Sequence, residues 1–320
     1  MAKAALTRRQ LRPIRQHHLS SDRVFYGITG LAALGIVLLT ILFVAELTRQ
    51  SWLAMDTFGW GFITSRIWDP VASQFGALPF IYGTVVSSLI AIVLGGLVGV
   101  ATAIFLIEFC PRRLRPLISF LIELLAAIPS VVYGFWGIAV LAPWLARTGE
   151  PYLHSTLGFL PLFQGPAFGV GMLAAGIILA TMILPTVSAV SRDVLAAVPA
   201  EQREGLLALG ATRWETVGQV LLPYARSGIM GALILGLGRA LGETIAATML
   251  IGNSPQIAAS LFAPSYTMAA VIANQFTEAT SDLHVSALIE IGLLLFGLTL
   301  LVNLGAQLLV WRMNRRWGGT

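Results

Sequence analysis

The sequence predicts an all-α, polytopic membrane protein of six transmembrane helices. Three observations carry that fold class. Of the 320 residues, 57% are hydrophobic and only 11% charged, with a mean hydropathy of +0.82, whereas a soluble domain carries about 25% charged residues. Six stretches reach the roughly 20 apolar residues that a bilayer crossing needs. The basic residues concentrate in every second segment between those stretches.

Taken in order, residues 1–23 form a basic tail holding Lys3, Arg8, Arg9, Arg12, Arg15 and Arg23. The first span, 24–48, is too long for a signal-peptide core and no small-residue cleavage site follows it, so it reads as an uncleaved anchor. The loop 49–79 carries Trp52, Trp60 and Trp68, amphipathic rings suited to a membrane interface. Spans two and three, 80–109 and 117–146, flank a short loop with Arg112, Arg113 and Arg115. Residues 147–166 hold three prolines and three glycines, from Gly149 to Pro166, and read as a broken loop. Span four covers 167–191, span five 225–251 and span six 285–311. Between the last two, residues 252–284 have room for a short re-entrant or interfacial helix; the tail is 312–320.

Sixteen of the 20 basic residues fall in the tails and in the loops 110–116 and 192–226; Arg49, Arg66 and Arg147 fall in the alternate loops. By the positive-inside rule both termini are cytoplasmic and 49–79 is external. Basic charge that alternates with spans marks topology and excludes a nucleic-acid surface. The chain has one lysine, Lys3, so it lacks the lysine of a Walker A loop and any ATP must be bound by another chain. Its single cysteine, Cys110, forms no intrachain disulfide. His17, His18, His154 and His284 lack metal-ligand spacing, and no nucleophile–base or zinc-protease string occurs. Neither metal, catalytic residues nor a cofactor bound by this chain is expected.

The loop 192–224 is the most informative. Pro199 suits a helix start, Glu201 and Glu204 complement its positive end, and Gly210 suits its stop. Thr212, Arg213, Trp214 and Glu215 have capping-box spacing, opening a second helix that runs to Pro223. Two short helices on the cytoplasmic face either dock a partner or pack on their own bundle.

One basic residue lies inside a span. Arg239 stands roughly 20 Å into a hydrocarbon layer about 30 Å thick, where an arginine costs at least about 2.5 kcal/mol. Glu243 is one turn on, and Gly238 and Gly242 have the spacing of a close helix contact. Two readings are open: a structural ion pair, or an arginine facing a path for an anion, with Glu243 tuning it. A guanidinium fork matches a tetrahedral oxyanion through two parallel hydrogen bonds. Ser130, after Pro129, lies where freed carbonyls and a hydroxyl line a path or where a kink is locally repaired. Gly95, Gly96 and Gly99 read as helix packing, and Asn303 and Gln307 as interhelical hydrogen-bonding groups. Glu123 and Glu290 either pair with an arginine or sit near span ends.

Glu204, Gly210, Val220 and Leu222-Pro223 are in register with the EAA loop of ABC importer permeases, with Glu204-Gly205-Leu206 at the head in place of Glu-Ala-Ala. The strings 75–84, 126–134, 210–215 and 238–244 are similar to the phosphate-specific (Pst) permeases, and 249–256 resembles their C-type subunit. That resemblance implies a type I importer (MetI-like) fold with a permease core over 80–311. It implies uptake of inorganic phosphate in a bacterial inner membrane, with Arg239 and Glu243 critical to transport. It implies an A-type permease partner, two ATPase subunits that bind ATP and Mg, and a periplasmic phosphate-binding protein. In this family Glu201, Glu204, Gly210, Thr212, Arg213, Trp214, Glu215 and Pro223 belong to the coupling loop that enters the ATPase. The nearest alternative is a type I permease for another oxyanion (molybdate or sulfate) or another solute such as a polyamine. An intramembrane enzyme or a scaffold that transports nothing is the remote one.

Overall fold

The computed structural model describes residues 18–317, so most of the basic tail lies outside the described residues. Helix α1 (His18–Gln50) falls, up to Arg49, in a unit separate from the rest of the chain. Its apolar side chains, among them Leu31, Ile36, Leu39 and Phe43, are exposed around the whole helix. A helix apolar on every face suits lipid rather than water.

The second unit, Gln50–Thr320, is built of helices joined by non-helical segments, and no strand forms among its described residues. Its helices are α2 (Trp52–Phe58), α3 (Gly61–Thr64), α4 (Leu78–Phe109), α5 (Arg115–Ala127) and α6 (Ser130–Leu157). They continue with α7 (Met172–Ala196), α8 (Ala200–Ala208), α9 (Arg213–Gly242), α10 (Ile245–Leu250), α11 (Met268–Gln275) and α12 (Asp282–Trp317). With α1, the described chain has six helices long and apolar enough to cross a membrane.

Helix α7 is the hub. Its Ala174, Ala175, Ile178 and Ile183 are fully buried, and small residues on its neighbours allow the approach. A β-carbon added at Gly95 of α4 would lie 2.5 Å from Ala180 O, and one at Gly99 3.0 Å from Val187 Cβ. On α9, a β-carbon at Gly236 would lie 2.8 Å from Val187 Cγ2. In a helical pair the absence of side chains at the crossing lets backbones meet.

Two expected spans are broken. The third stops at Ala127: Ile128 and Pro129 are extended (ψ 126° and 144°), and helix resumes at Ser130. Proline lacks the amide that would continue the ladder and forces its predecessor out of the helical region. Tyr133 Oη donates to Leu125 O at 2.8 Å, the shorter of two bonds to a carbonyl at the break, which also accepts from Ile128 N at 3.4 Å. The helix then runs to Leu157, past the expected end at 146, so most of the predicted broken loop is helical. Pro151 lies inside this helix, just after the π-helical turn Leu145–Gly149 that adjoins its missing amide. The fifth span, expected to run to 251, ends at Gly242. Glu243 is extended (ψ 126°) and a separate short helix, α10, follows.

The loops gather at two ends. At one end 110–116 meets 197–213; Arg115 Nη2 donates to Ile107 O at 2.9 Å there. At the other, Trp68 packs edge-on against Phe75 and Phe80 and donates its indole N–H to Gln275 Oε1 at 2.8 Å. Helix α11 lies at this end, within the segment where a short helix was expected. Burial raises the Tyr266 phenol above its usual range there; its hydroxyl accepts from Asn274 Nδ2 at 2.9 Å.

Candidate functional site

Arg239 lies on α9 opposite the middle of α7: Thr186, its partner, is ten residues from the end of a 25-residue helix. At 1.5 Å per residue that is about 15 Å from the basic end. Arg239 Nη1 donates to Thr186 Oγ1 at 3.3 Å, and the arginine is otherwise exposed to an open cavity of about 850 Å³. Ser227, Gly231 and Gly238 of α9 line that cavity from one side, with Asn303, Gln307 and Trp311 of α12 from the other.

The predicted Arg239–Glu243 pair is not formed among the described residues. Glu243 stands past the helix end, where ψ of 126° takes it off the face that carries Arg239. Its Oε1 instead accepts from Ala246 N at 3.4 Å, at the start of α10. Nor is the close helix contact expected at Gly238 and Gly242 made within this chain. A β-carbon at Gly242 would meet nothing within 4 Å, and one at Gly238 only Asn303 Oδ1 at 3.9 Å. Asn303 and Gln307, read from sequence as glue between helices, face the cavity. What the site offers is an unneutralised guanidinium, flanked by a hydroxyl and two carboxamide side chains. Such donors can hydrogen-bond an anion, and no nucleophile–base pair stands beside them among the described residues.

The two breaks adjoin. A β-carbon at Gly134 or Gly137 of α6 would collide with Met249 or Leu250 of α10. The half-helices that follow Pro129 and Glu243 are therefore packed on each other. Ser130 is half-buried at the start of α6. Of the other membrane acids, Glu123 pairs with Arg192 at 3.2 Å at the basic end. Glu290 is buried in the core of α12, and its Oε2 has no hydrogen-bond partner among the described residues.

The basic end carries the second feature. Helix α8 has no buried residue, and Glu201, Glu204 and Gly210 are exposed. Gly210 takes φ +90°, a left-handed turn that suits glycine. Thr212 Oγ1 accepts from Glu215 N at 3.3 Å while Glu215 Oε2 accepts from Thr212 N at 2.7 Å, completing the capping box. Leu209, which no sequence motif singles out, is 85% exposed at the tip between the helices. Arg213, Trp214 and Pro223 lie on α9, so the second short helix is continuous with the fifth span.

Residues 91–315 match the family described as "binding-protein-dependent transport system inner membrane component". The chain belongs to this family. The permease is 46% identical over 302 residues to a protein of Mesorhizobium japonicum named "Phosphate transport system permease protein PstC", covering 93% of this chain and 92% of that one. It is 44% identical to the protein of that name from Haemophilus influenzae, covering 93% and 95%. In fold it is similar to a chain of a bacterial ABC transporter involved in alginate import, with TM-score 0.60, 16% identity and coverage of 92% and 99%. A chain of the MetNI methionine ABC transporter gives TM-score 0.55 at 17% identity, covering 77% and 99%. The MetI-like permease fold follows from these likenesses, and this multi-pass membrane protein is a transport permease subunit.

Proposed function

We propose that this permease is one half of the translocation path of an ATP-driven importer of inorganic phosphate. The observation that carries the reading is the unneutralised Arg239 over a cavity of about 850 Å³, in a chain 46% identical to a phosphate transport permease. A planar guanidinium presents paired donors to a tetrahedral oxyanion. In a poorly hydrated path such charge-assisted bonds are strong. The open face at Gly238 and Gly242 receives a second, A-type permease subunit, and the cavity closes between the two.

The power stroke comes from outside the chain. Two ATPase subunits hold ATP and Mg, and each accepts a coupling loop; here that loop is α8 with the start of α9. Glu201, Glu204, Leu209 and Gly210 form its exposed front, while Thr212, Arg213, Trp214, Glu215 and Pro223 fix its back. ATP binding draws the loop, opens the path to an external phosphate-binding protein, and hydrolysis returns it. Both termini and the basic loops face the cytoplasm of a bacterial inner membrane, an orientation that the alternation of basic segments supports.

The test is uptake of labelled phosphate by proteoliposomes holding the permease, its partner permease, the ATPases and the binding protein. ATP-dependent accumulation of phosphate, not displaced by sulfate or molybdate, is the expected result. Accumulation of sulfate or molybdate in preference to phosphate overturns the substrate assignment.

A further inference from the structure

The last turns of α4 hold a carboxylate that the sequence hides inside an apolar run. Glu108 has no exposed side-chain area, and its Oε2 lies 2.9 Å from Arg203 Nη2 on α8. Neither carboxylate oxygen of Glu108 makes a hydrogen bond among the described residues, so the contact with Arg203 is an ion pair without hydrogen-bond geometry. The main-chain carbonyl of the same residue accepts from Arg213 Nη1 at 3.0 Å, at the start of α9. Next to it, the Phe109 ring lies 4.9 Å from the Trp214 ring. One end of one span therefore grips both coupling helices.

The grip on α8 rests on few contacts. That helix buries none of its residues. Between it and the bundle lies a cavity of about 400 Å³, bordered by Ile107, Arg115, Leu195, Arg203 and Leu207. Across such a gap, packing transmits little, because apolar contacts fall away over an ångström. An ion pair whose carboxylate is wholly out of solvent is costly to separate by comparison, because it would leave a buried charge uncompensated. Coupling between distant sites needs a physical link that biases both.

We infer that Glu108 is a positioning residue for energy coupling. Through the ion pair with Arg203 its carboxylate makes α4 follow α8 when the ATPase pulls the coupling loop, while the main-chain contact with Arg213 holds the start of α9. This rests on the reading of the chain as an importer permease driven by a separate ATPase. It predicts that loss of the charge disconnects hydrolysis from transport without stopping either subunit from assembling.

The experiment uses the complete reconstituted transporter with Glu108→Gln, a substitution that keeps the shape and removes the charge. Substrate moved per ATP hydrolysed falls by at least about fivefold, and stimulation of hydrolysis by the loaded binding protein is lost, while basal hydrolysis persists. Arg203→Gln, on the half-exposed partner, gives the same split and serves if Glu108→Gln assembles poorly. A ratio unchanged in both variants overturns the inference. A second readout is independent of the substrate: spin labels at Gln202 on α8 and Val98 on α4, in a Cys110→Ser background. Their separation stays constant when ATP binds to the wild-type complex and changes in Glu108→Gln. Separation that changes equally in both overturns the inference, whereas absence of phosphate uptake by the wild type, with this distance behaviour intact, overturns only the substrate reading.

Discussion

Gly95 is where the packing account is most exposed to refutation. In Gly95→Ala the new methyl would sit 2.5 Å from Ala180 O, 2.8 Å from Ile183 Cγ1 and 2.9 Å from Ala180 Cα. Two of those three atoms belong to the backbone of α7 and cannot rotate away. Ordinary carbon–carbon contact lies near 3.5–4.0 Å, so α4 and α7 must separate by about 1 Å. Overpacking of this kind costs about 1–3 kcal/mol. Against it stands a gain of up to about 1 kcal/mol, because alanine is the better helix former. The net expectation is a loss of about 0–2 kcal/mol, and a loss at the upper end for Gly95→Val, whose larger side chain adds to the clash. Gly297 of α12 is the internal control: its β-carbon would meet nothing within 4 Å, so Gly297→Ala gains the propensity term alone. The assay is unfolding in detergent read by a thiol-reactive dye. Cys110, the only cysteine, is 5% exposed just past the end of α4, so labelling reports unfolding of the bundle around that helix. A Gly95→Val protein as stable as wild type, or a Gly297→Ala protein less stable than Gly95→Ala, would refute the reasoning.

Other outcomes follow from the same geometry. Tyr133→Phe removes the hydroxyl that makes the shorter bond to Leu125 O across the Pro129 break and costs about 1 kcal/mol in the same assay; an unchanged midpoint contradicts the repair role. Leu209→Asp leaves stability within about 0.5 kcal/mol, because the side chain is 85% exposed, but weakens co-purification with the ATPase; full retention of the ATPase removes Leu209 from the docking front. Thr212→Ala breaks the capping box and costs about 1 kcal/mol locally, seen as faster amide exchange over 213–216, while exchange in α7 stays as it was.

Much of the fold was legible because membrane spans and basic loops are local properties. The six apolar runs, the Gly95 and Gly99 contact, the Pro129 break and the Thr212–Glu215 capping box all rest on residues within a few positions of each other. The break at Glu243 was not legible. Apolar residues continue to Ile251, and nothing in the run replaces proline as a stop. What sets it is tertiary: α10 packs on α6 at Gly134 and Gly137, residues more than a hundred positions away. The same distance hid the partner of Arg239. Its nearest acid in sequence is Glu243, but its hydrogen bond goes to Thr186 on another helix. Glu108 escaped notice because a single acid at a span end reads as interfacial, and Arg203 on a distant loop gives no local sign of pairing with it. Asn303 and Gln307 were recognised as one helix face, but their cavity appears only when α12 meets α9.

The claim that Arg239 handles the anion is tested most directly by phosphate uptake in reconstituted vesicles with Arg239→Gln. Removing one charge of a charge-assisted anion contact costs at least about 2 kcal/mol, which is about a 30-fold loss of rate. The account predicts that loss with the complex fully assembled and still hydrolysing ATP. Uptake within a few-fold of wild type, under the same ATP hydrolysis, would contradict it.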